Sequence, residues 1–195
     1  SLTAGLAARG ARIDRAMVDL RRLDAAGDTL RLDLLRKDAI TLDAEINGPK
    51  DGFFAAALKT DDPLHLTAKA NGDETHGDGA LDATLGGKPF ADGVFAWTPE
   101  GWSGGADLRL DLAPAFADIT ARTGGAIRLD AEGERGARTT FNVTAKAQDA
   151  AVVARGALGD DWRPQGATQL RANATRLDRL TQGIVRGGAA FEGAL

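Results

Sequence analysis

The 195-residue chain contains no cysteine. Disulfides, thiol catalysis and thiolate metal sites are therefore excluded, while the compartment stays open, since a cysteine-free chain suits an oxidising space and a reducing one equally. Tyrosine is absent and methionine occurs once. No stretch approaches the roughly 18 consecutive apolar residues of a membrane helix. Neither charge dominates: 24 Lys and Arg against 28 Asp and Glu leave a net charge of -4, mixed along the chain, so the basic face that nucleic acid needs is missing and no such partner is expected. The chain begins at Ser1 with no basic-then-apolar leader behind it, which is expected of a piece taken from something longer.

What is present is glycine, 25 residues of it, and a repeated alternation of apolar and polar residues. At 43% hydrophobic and 27% charged the chain is long enough for one or two domains with a core. From about residue 29 the period is 2, the mark of a strand with one wet face. Leu30, Leu32 and Leu34 alternate with Arg31 and Asp33. Ile40, Leu42, Ala44 and Ile46 alternate with Thr41, Asp43 and Glu45, and Leu64, Leu66, Ala68 and Ala70 with His65, Thr67 and Lys69. The same pattern returns at Leu81, Ala83 and Leu85, at Leu108, Leu110 and Leu112, at Ile127, Leu129 and Ala131, at Phe141, Val143, Ala145 and Ala147, and at Leu170, Ala172 and Ala174. Turn signals separate the runs, among them Asn71-Gly72-Asp73, Gly86-Gly87, Thr98-Pro99-Glu100-Gly101 and Gly133-Glu134-Arg135-Gly136. Strands at this spacing, joined by short turns, predict an all-β antiparallel meander.

Two stretches break the rhythm and predict short helical turns. In Ala113 to Gly124, Pro114 suits a first helical position and Gly124 a stop; in Leu177 to Gly183, Leu177 and Leu180 are three apart. Each leads into Gly-Gly and a new strand, so residues 108–133 and 170–195 form a weak internal repeat within a single repetitive module spanning 1–195. The opening segment offers both a helical face, Ile13, Met17 and Leu20, and a strand face, Ala16, Val18 and Leu20, with the strand preferred.

Candidate chemistry is thin. Gly101-Trp102-Ser103-Gly104-Gly105 fits the G-x-S-x-G pattern of a hydrolase elbow, but that elbow precedes a helix and its histidine follows in the chain. Here strand alternation follows, and His65 and His76 both come earlier. The stretch reads instead as a hairpin, Pro99 presetting the turn, with Trp97 opposite Trp102 and Ser103 outward. Asp73, Glu74, His76 and Asp78 lack the order of a calcium loop and read as a solvated loop from Asn71 to Gly79, and Gly87-Lys88 lacks the surroundings of a phosphate loop. No catalytic residue, metal or cofactor is expected. The remaining candidate is the apolar face itself, which periodicity alone assigns equally to the core of a closed β-sandwich or to a binding surface.

Leu108 to Gly133, "LRLDLAPAFADITARTGGAIRLDAEG", resembles the TamB family of Gram-negative bacteria and related AsmA-like proteins, in which a strand leads to a Leu-Ala-Pro helical turn and then to Gly-rich text opening the next strand. Ala174 to Leu195, "ATRLDRLTQGIVRGGAAFEGAL", looks like a second copy, and "TLRLDLL" and "AITLDAEI" are similar to that family's rungs. The resemblance implies an elongated sheet curled into a U-shaped trough with an apolar interior. It also implies a periplasmic fragment of a protein anchored in the inner membrane, carrying phospholipid toward the outer membrane and working with an outer-membrane barrel of the TamA type. The trough would be lined by Leu30, Leu32, Leu34, Ile40, Leu42, Ile46, Leu64, Leu66, Leu81, Leu85, Phe95, Trp97, Trp102, Leu108, Leu110, Leu112, Ile127, Leu129, Phe141, Val143 and Leu170, with small residues such as Ala68 and Ala145 leaving room. An alternative function is a scaffold that holds outer-membrane strands along its edges by β-augmentation. A cut end of such a sheet would also pair with another copy.

Overall fold

The computed structural model describes residues 2–9, 12–21, 27–36, 39–159, 165–176 and 186–194. Among these, thirteen strands form one open antiparallel sheet whose order is the order of the chain. They are β1 (Leu2–Arg9), β2 (Arg12–Arg21), β3 (Thr29–Arg36), β4 (Ile40–Gly48), β5 (Leu64–Gly72), β6 (Gly77–Leu85), β7 (Lys88–Trp97), β8 (Gly101–Arg109), β9 (Ala126–Glu134), β10 (Thr139–Ala147), β11 (Ala150–Leu158), β12 (Gln169–Ala174) and β13 (Ala189–Ala194). Helix α1 (Phe53–Leu58) joins β4 to β5, and two 3-10 turns with helix α2 (Ala117–Thr123) join β8 to β9. The chain divides into two compact units, one of residues 1–96 with 113–115 and the other of residues 97–112 with 116–195.

In the first unit the ladders keep the apolar residues of successive strands in register. Leu30 stands opposite Ile46, Leu32 opposite Ala44 and Leu34 opposite Leu42; across the next ladder Ile46 meets Leu66 and Leu42 meets Ala70. Leu64, Leu66 and Ala68 then meet Leu85, Ala83 and Leu81. Because side chains alternate at every residue, a slip of one position would move all of these to the polar side, so the sequence tolerates only this register. The opening segment is strand rather than helix, with Val18 opposite Leu32 and Ala16 opposite Leu34. Gly86 and Gly87 close the β6–β7 hairpin with φ of 59° and 75°, the paired left-handed geometry of a type I′ turn.

The second unit repeats the arrangement. Ala106 and Leu108 face Leu129 and Ile127. Leu129 and Ala131 face Ala145 and Val143, and these face Val152 and Ala154. The turn at Pro99-Glu100 is the expected hairpin: the Thr98 N–H donates to the Gly101 carbonyl at 2.8 Å and the Gly101 N–H returns to Thr98 at 3.3 Å. The helical turn expected between Ala113 and Gly124 is present, a 3-10 turn over Pro114–Phe116 continuing into α2 and stopped by Gly124 at φ 87°.

In three places the structure departs from the sequence pattern. Leu110 and Leu112 do not extend a strand: β8 ends at Arg109 and Leu110–Leu112 is a 3-10 turn, because the partner strand β9 begins only at Ala126, after Gly124 at φ 87°; the Leu110 N–H still bonds the Gly125 carbonyl opposite it at 2.8 Å, and the chain then turns away. The polar stretch from Asn71 to Gly79 is mostly strand, with Asn71 opposite Asp78, and only residues 73–76 turn. Helix α1 was not anticipated. The expected turn from Leu177 to Gly183 lies outside the described residues.

Glycine is required where backbone meets backbone. A side chain at Gly133 would run into the Trp102 indole and the Thr140 carbonyl, the latter at 2.7 Å from a built Cβ. Gly133→Val is therefore expected to cost about 1–3 kcal/mol in a urea unfolding series. Gly136→Ala, whose Cβ would meet nothing closer than the Arg138 carbonyl at 3.6 Å, should stay within about 0.5 kcal/mol of the parent.

Candidate functional site: an uncovered apolar sheet face

Both faces of the sheet follow from the ladders. In the second unit one face carries Trp102, Gly104, Ala106 and Leu108 from β8, then Ile127, Leu129, Ala131 and Gly133 from β9. It continues through Phe141, Val143 and Ala145, through Val152, Ala154 and Gly156, and through Leu170 and Ala172 to Phe191 and Gly193. Among the described residues no polar side chain lies between these; Thr139 of β10, of the same sense as Phe141, borders the face at one end. Among the described residues of this unit only Gly101 and Gly133 are buried, whereas Val152 is 40% and Phe191 59% exposed. Among the described residues of this unit, then, no apolar side chain on that face is fully buried.

Among the described residues the buried apolar side chains all belong to the first unit: Ala55, Leu64, Ala83, Leu85, Ala91 and Ala113. The rest of its apolar face, including Leu30, Leu32, Leu34, Ile40, Leu42, Ile46, Leu66 and Leu81, is half-buried. A hollow of about 860 Å³ in this unit lies mainly on the opposite, polar side, between Arg31, Asp33, Asp43, Glu45, Thr67 and Lys69. Its charged lining makes this hollow a poor place for an apolar ligand.

The structure brings the sequence-derived lining residues onto these faces strand by strand, with the exceptions of Leu110 and Leu112. Sequence reasoning missed the way the aromatic rings lie. Trp102 covers Gly133 directly across the ladder, Phe141 covers Gly156 at 2.8 Å from a built Cβ, and Phe95 covers Gly79. Phe191 likewise lies along its own strand over Gly193, 2.7 Å from a built Cβ. A ring laid over glycine fills the missing side chain's space and keeps the face low, the aromatic rescue known for sheets. The available signal was glycine opposite an aromatic residue, which appears only once the register is known.

On the polar face side-chain pairs link neighbouring strands. The Arg128 guanidinium bonds Asp130 at 2.9 Å and also Asp107 on the neighbouring strand. The Asn142 amide donates to Glu132 at 2.9 Å and accepts from Arg155 at 3.2 Å. Arg171 pairs with Glu192 at 2.9 Å, and the hydrogen bond and charge of the arginine hold the Glu192 carboxyl below its ordinary range. Exposed pairs of this kind add little stability one by one, but opposite charges across a ladder favour the correct register.

Ser103 lies within β8, exposed and on the face opposite Trp102, so the strand-to-helix elbow is not formed. His65 is bonded to Asn47 at 2.6 Å, and His76 to the Thr75 hydroxyl at 2.9 Å. Among the described residues no three His, Asp or Glu side chains converge as metal ligands. The Asp73 carboxylate is used within its own turn, accepting from the Thr75 hydroxyl at 2.7 Å, the Thr75 N–H at 2.6 Å and the His76 N–H at 2.8 Å.

Compared with protein-family models, with curated proteins and with solved structures, the chain has no match.

The Thr75 hydroxyl, followed by the backbone N–H groups of His76 and Thr75, lowers the Asp73 pKa from 3.8 to about 2. The turn's support from this carboxylate is full above 3.8, the value of the unfolded chain, and is lost as pH falls through about 2. A carboxyl-carbon NMR titration should give a midpoint near 2 for Asp73, and Thr75→Ala should move it up toward the ordinary aspartate value. An unmoved midpoint would refute the hydroxyl's leading role.

Proposed function

We propose that the chain is one stretch of a lipid-conducting surface, in which phospholipid acyl chains lie against the apolar face while the charged face stays in water. The observation that carries this reading is the face of the second unit, apolar across its six strands and, among the described residues, with no apolar side chain buried on it. A contiguous apolar surface of this kind marks a binding site, and an acyl chain laid on it gains about 0.8 kcal/mol per buried CH2. The low relief left by Ala, Gly and flattened rings suits a cargo that slides better than one that locks into a pocket. The resemblance of Leu108 to Gly133 to the TamB family points the same way. On this reading the sheet curls into a trough over its cargo, and the parent protein is anchored in the inner membrane. It would then cross the periplasm and support outer-membrane biogenesis beside a barrel partner.

Photo-crosslinking side chains at Leu129 and Phe141 should capture phospholipid in cells, and those at Arg128 and Thr144 on the opposite face should not. Equal capture from both faces would refute the proposal. Leu129→Asp should lower capture at Phe141 roughly tenfold, the equivalent of about 1.4 kcal/mol, with the far-ultraviolet spectrum of a sheet unchanged. If the chain were instead a scaffold for client strands, backbone-mediated strand binding would survive that substitution, because β-augmentation runs through main-chain hydrogen bonds.

A further inference from the structure

The apolar face of the first unit has two unlike ends. At one end the row of Asp28, Gly48, Leu64 and Leu85 is buried, Leu85 at 1% and Leu64 at 9% exposure; one row further along the strands, Leu30, Ile46 and Leu66 are half-buried and only Ala83 is buried. Over Asp28 and Gly48 the cover is α1. Gly48 has the same side-chain sense as Ile46, and a Cβ built on it would lie 2.9 Å from the Phe54 Cβ, so the helix sits on the apolar face and not on the charged one. Asp28, two residues before Leu30 and of the same sense, accepts the Phe53 N–H at 2.7 Å and ties the start of the helix to that face.

A six-residue helix does not persist alone, because its nucleation cost is not repaid over so few residues. This one is held at both ends. The Gly52 N–H bonds the Pro49 carbonyl at 2.9 Å, and Gly52 has no room for a side chain against the Asp28 carboxylate. At the other end Lys59 takes the left-handed conformation, φ 55°, its N–H bonding Ala56 at 3.1 Å while that of Thr60 bonds Ala55 at 3.0 Å. Ala55 is fully buried, and Phe53 stands outward at 61% exposure, edge-on to Phe54.

We propose that α1 is a fixed stop across one end of this apolar face, closing that end to acyl chains and leaving the rows from Leu30 to Leu34, about 13 Å at ~3.3 Å per residue, as the stretch that carries them. The inference rests on the lipid reading above and adds where the path ends in this unit. It makes Asp28 a positioning residue, acting on cargo only through the helix it holds.

The cysteine-free chain is offered vesicles of phosphatidylethanolamine and phosphatidylglycerol, with a diazirine analogue of leucine placed singly at Leu42 or at Leu64. Leu42 should capture phospholipid, and Leu64, under the stop, roughly tenfold less. Asp28→Ala, which releases the start of α1, should raise capture at Leu64 to the level at Leu42. Phe54→Ala, which empties the contact over Gly48 and leaves the Asp28 bond intact, should do the same if the first variant fails to fold. Equal capture at Leu42 and Leu64 in the parent chain overturns the stop and leaves the lipid reading standing. Leu64 still silent after amide exchange shows α1 released overturns it as well. Capture at neither position overturns the lipid reading for this unit, and the stop with it.

Discussion

The register of the antiparallel ladders is the constraint on which everything else in this protein depends. Each ladder sets a pair such as Leu32 and Ala44, or Leu129 and Ala145, side by side on one face, and the residues next to them, Asp33 with Asp43 or Arg128 with Lys146, on the other. The backbone bonds alone do not choose between registers, since a strand shifted by one residue pairs its N–H and C=O groups equally well. The choice comes from side chains: a shift would place Leu beside Asp and bring arginine onto the apolar face. Asp33 opposite Asp43 is a like-charge contact that the register accepts, with Lys69 opposite Asp43 on the far side. The apolar rows therefore outweigh a local charge conflict, as expected when burial of a leucine contributes about 1.5–3 kcal/mol and an exposed charge pair about 0–1.

Glycine plays a part beyond flexibility. On the apolar faces it stands under aromatic rings, Gly133 under Trp102 and Gly156 under Phe141, where any larger residue would push the ring upright. The rings cover backbone that would otherwise be bare, and the face stays shallow. Alanine has the same effect along Ala131, Ala145 and Ala154. A core meant to close on a second layer gains from large interlocking side chains at such positions. A surface meant to stay open to a mobile chain gains from their absence.

How much of this was legible in the sequence depended on what each element rests on. Strands with strict alternation, Leu30 to Leu34 or Ile127 to Ala131, show themselves because period 2 is a property of the strand alone. β11 was missed because its Ala-Ala-Val-Val run is apolar on both faces, so it has no period to detect. α1 was missed for a related reason. Phe53-Phe54-Ala55-Ala56-Ala57-Leu58 is too short to display a helical face, and the group that fixes its start, Asp28, lies 25 residues earlier. The overreach at Leu110 and Leu112 is the opposite case, in which alternation continues past the point where the ladder stops. Periodicity reports which way side chains could point; only the partner strand decides whether there is a ladder for them to point from.

A sheet of this kind is stabilised in an unusual place. Among the described residues of the second unit no apolar side chain is fully buried, so cohesion comes from each strand's contact with its two neighbours: ladder bonds, half-covered cross-strand pairs and charge pairs on the wet side. Contacts between neighbours in the chain close small loops, cost little entropy and add up strand by strand, as in other repeat architectures. An apolar face can stay uncovered only if stability does not depend on covering it. A closed core would make the fold firmer and remove the surface. Here the ladders supply the stability, which is what would leave the apolar face free for the acyl chains of the proposed function.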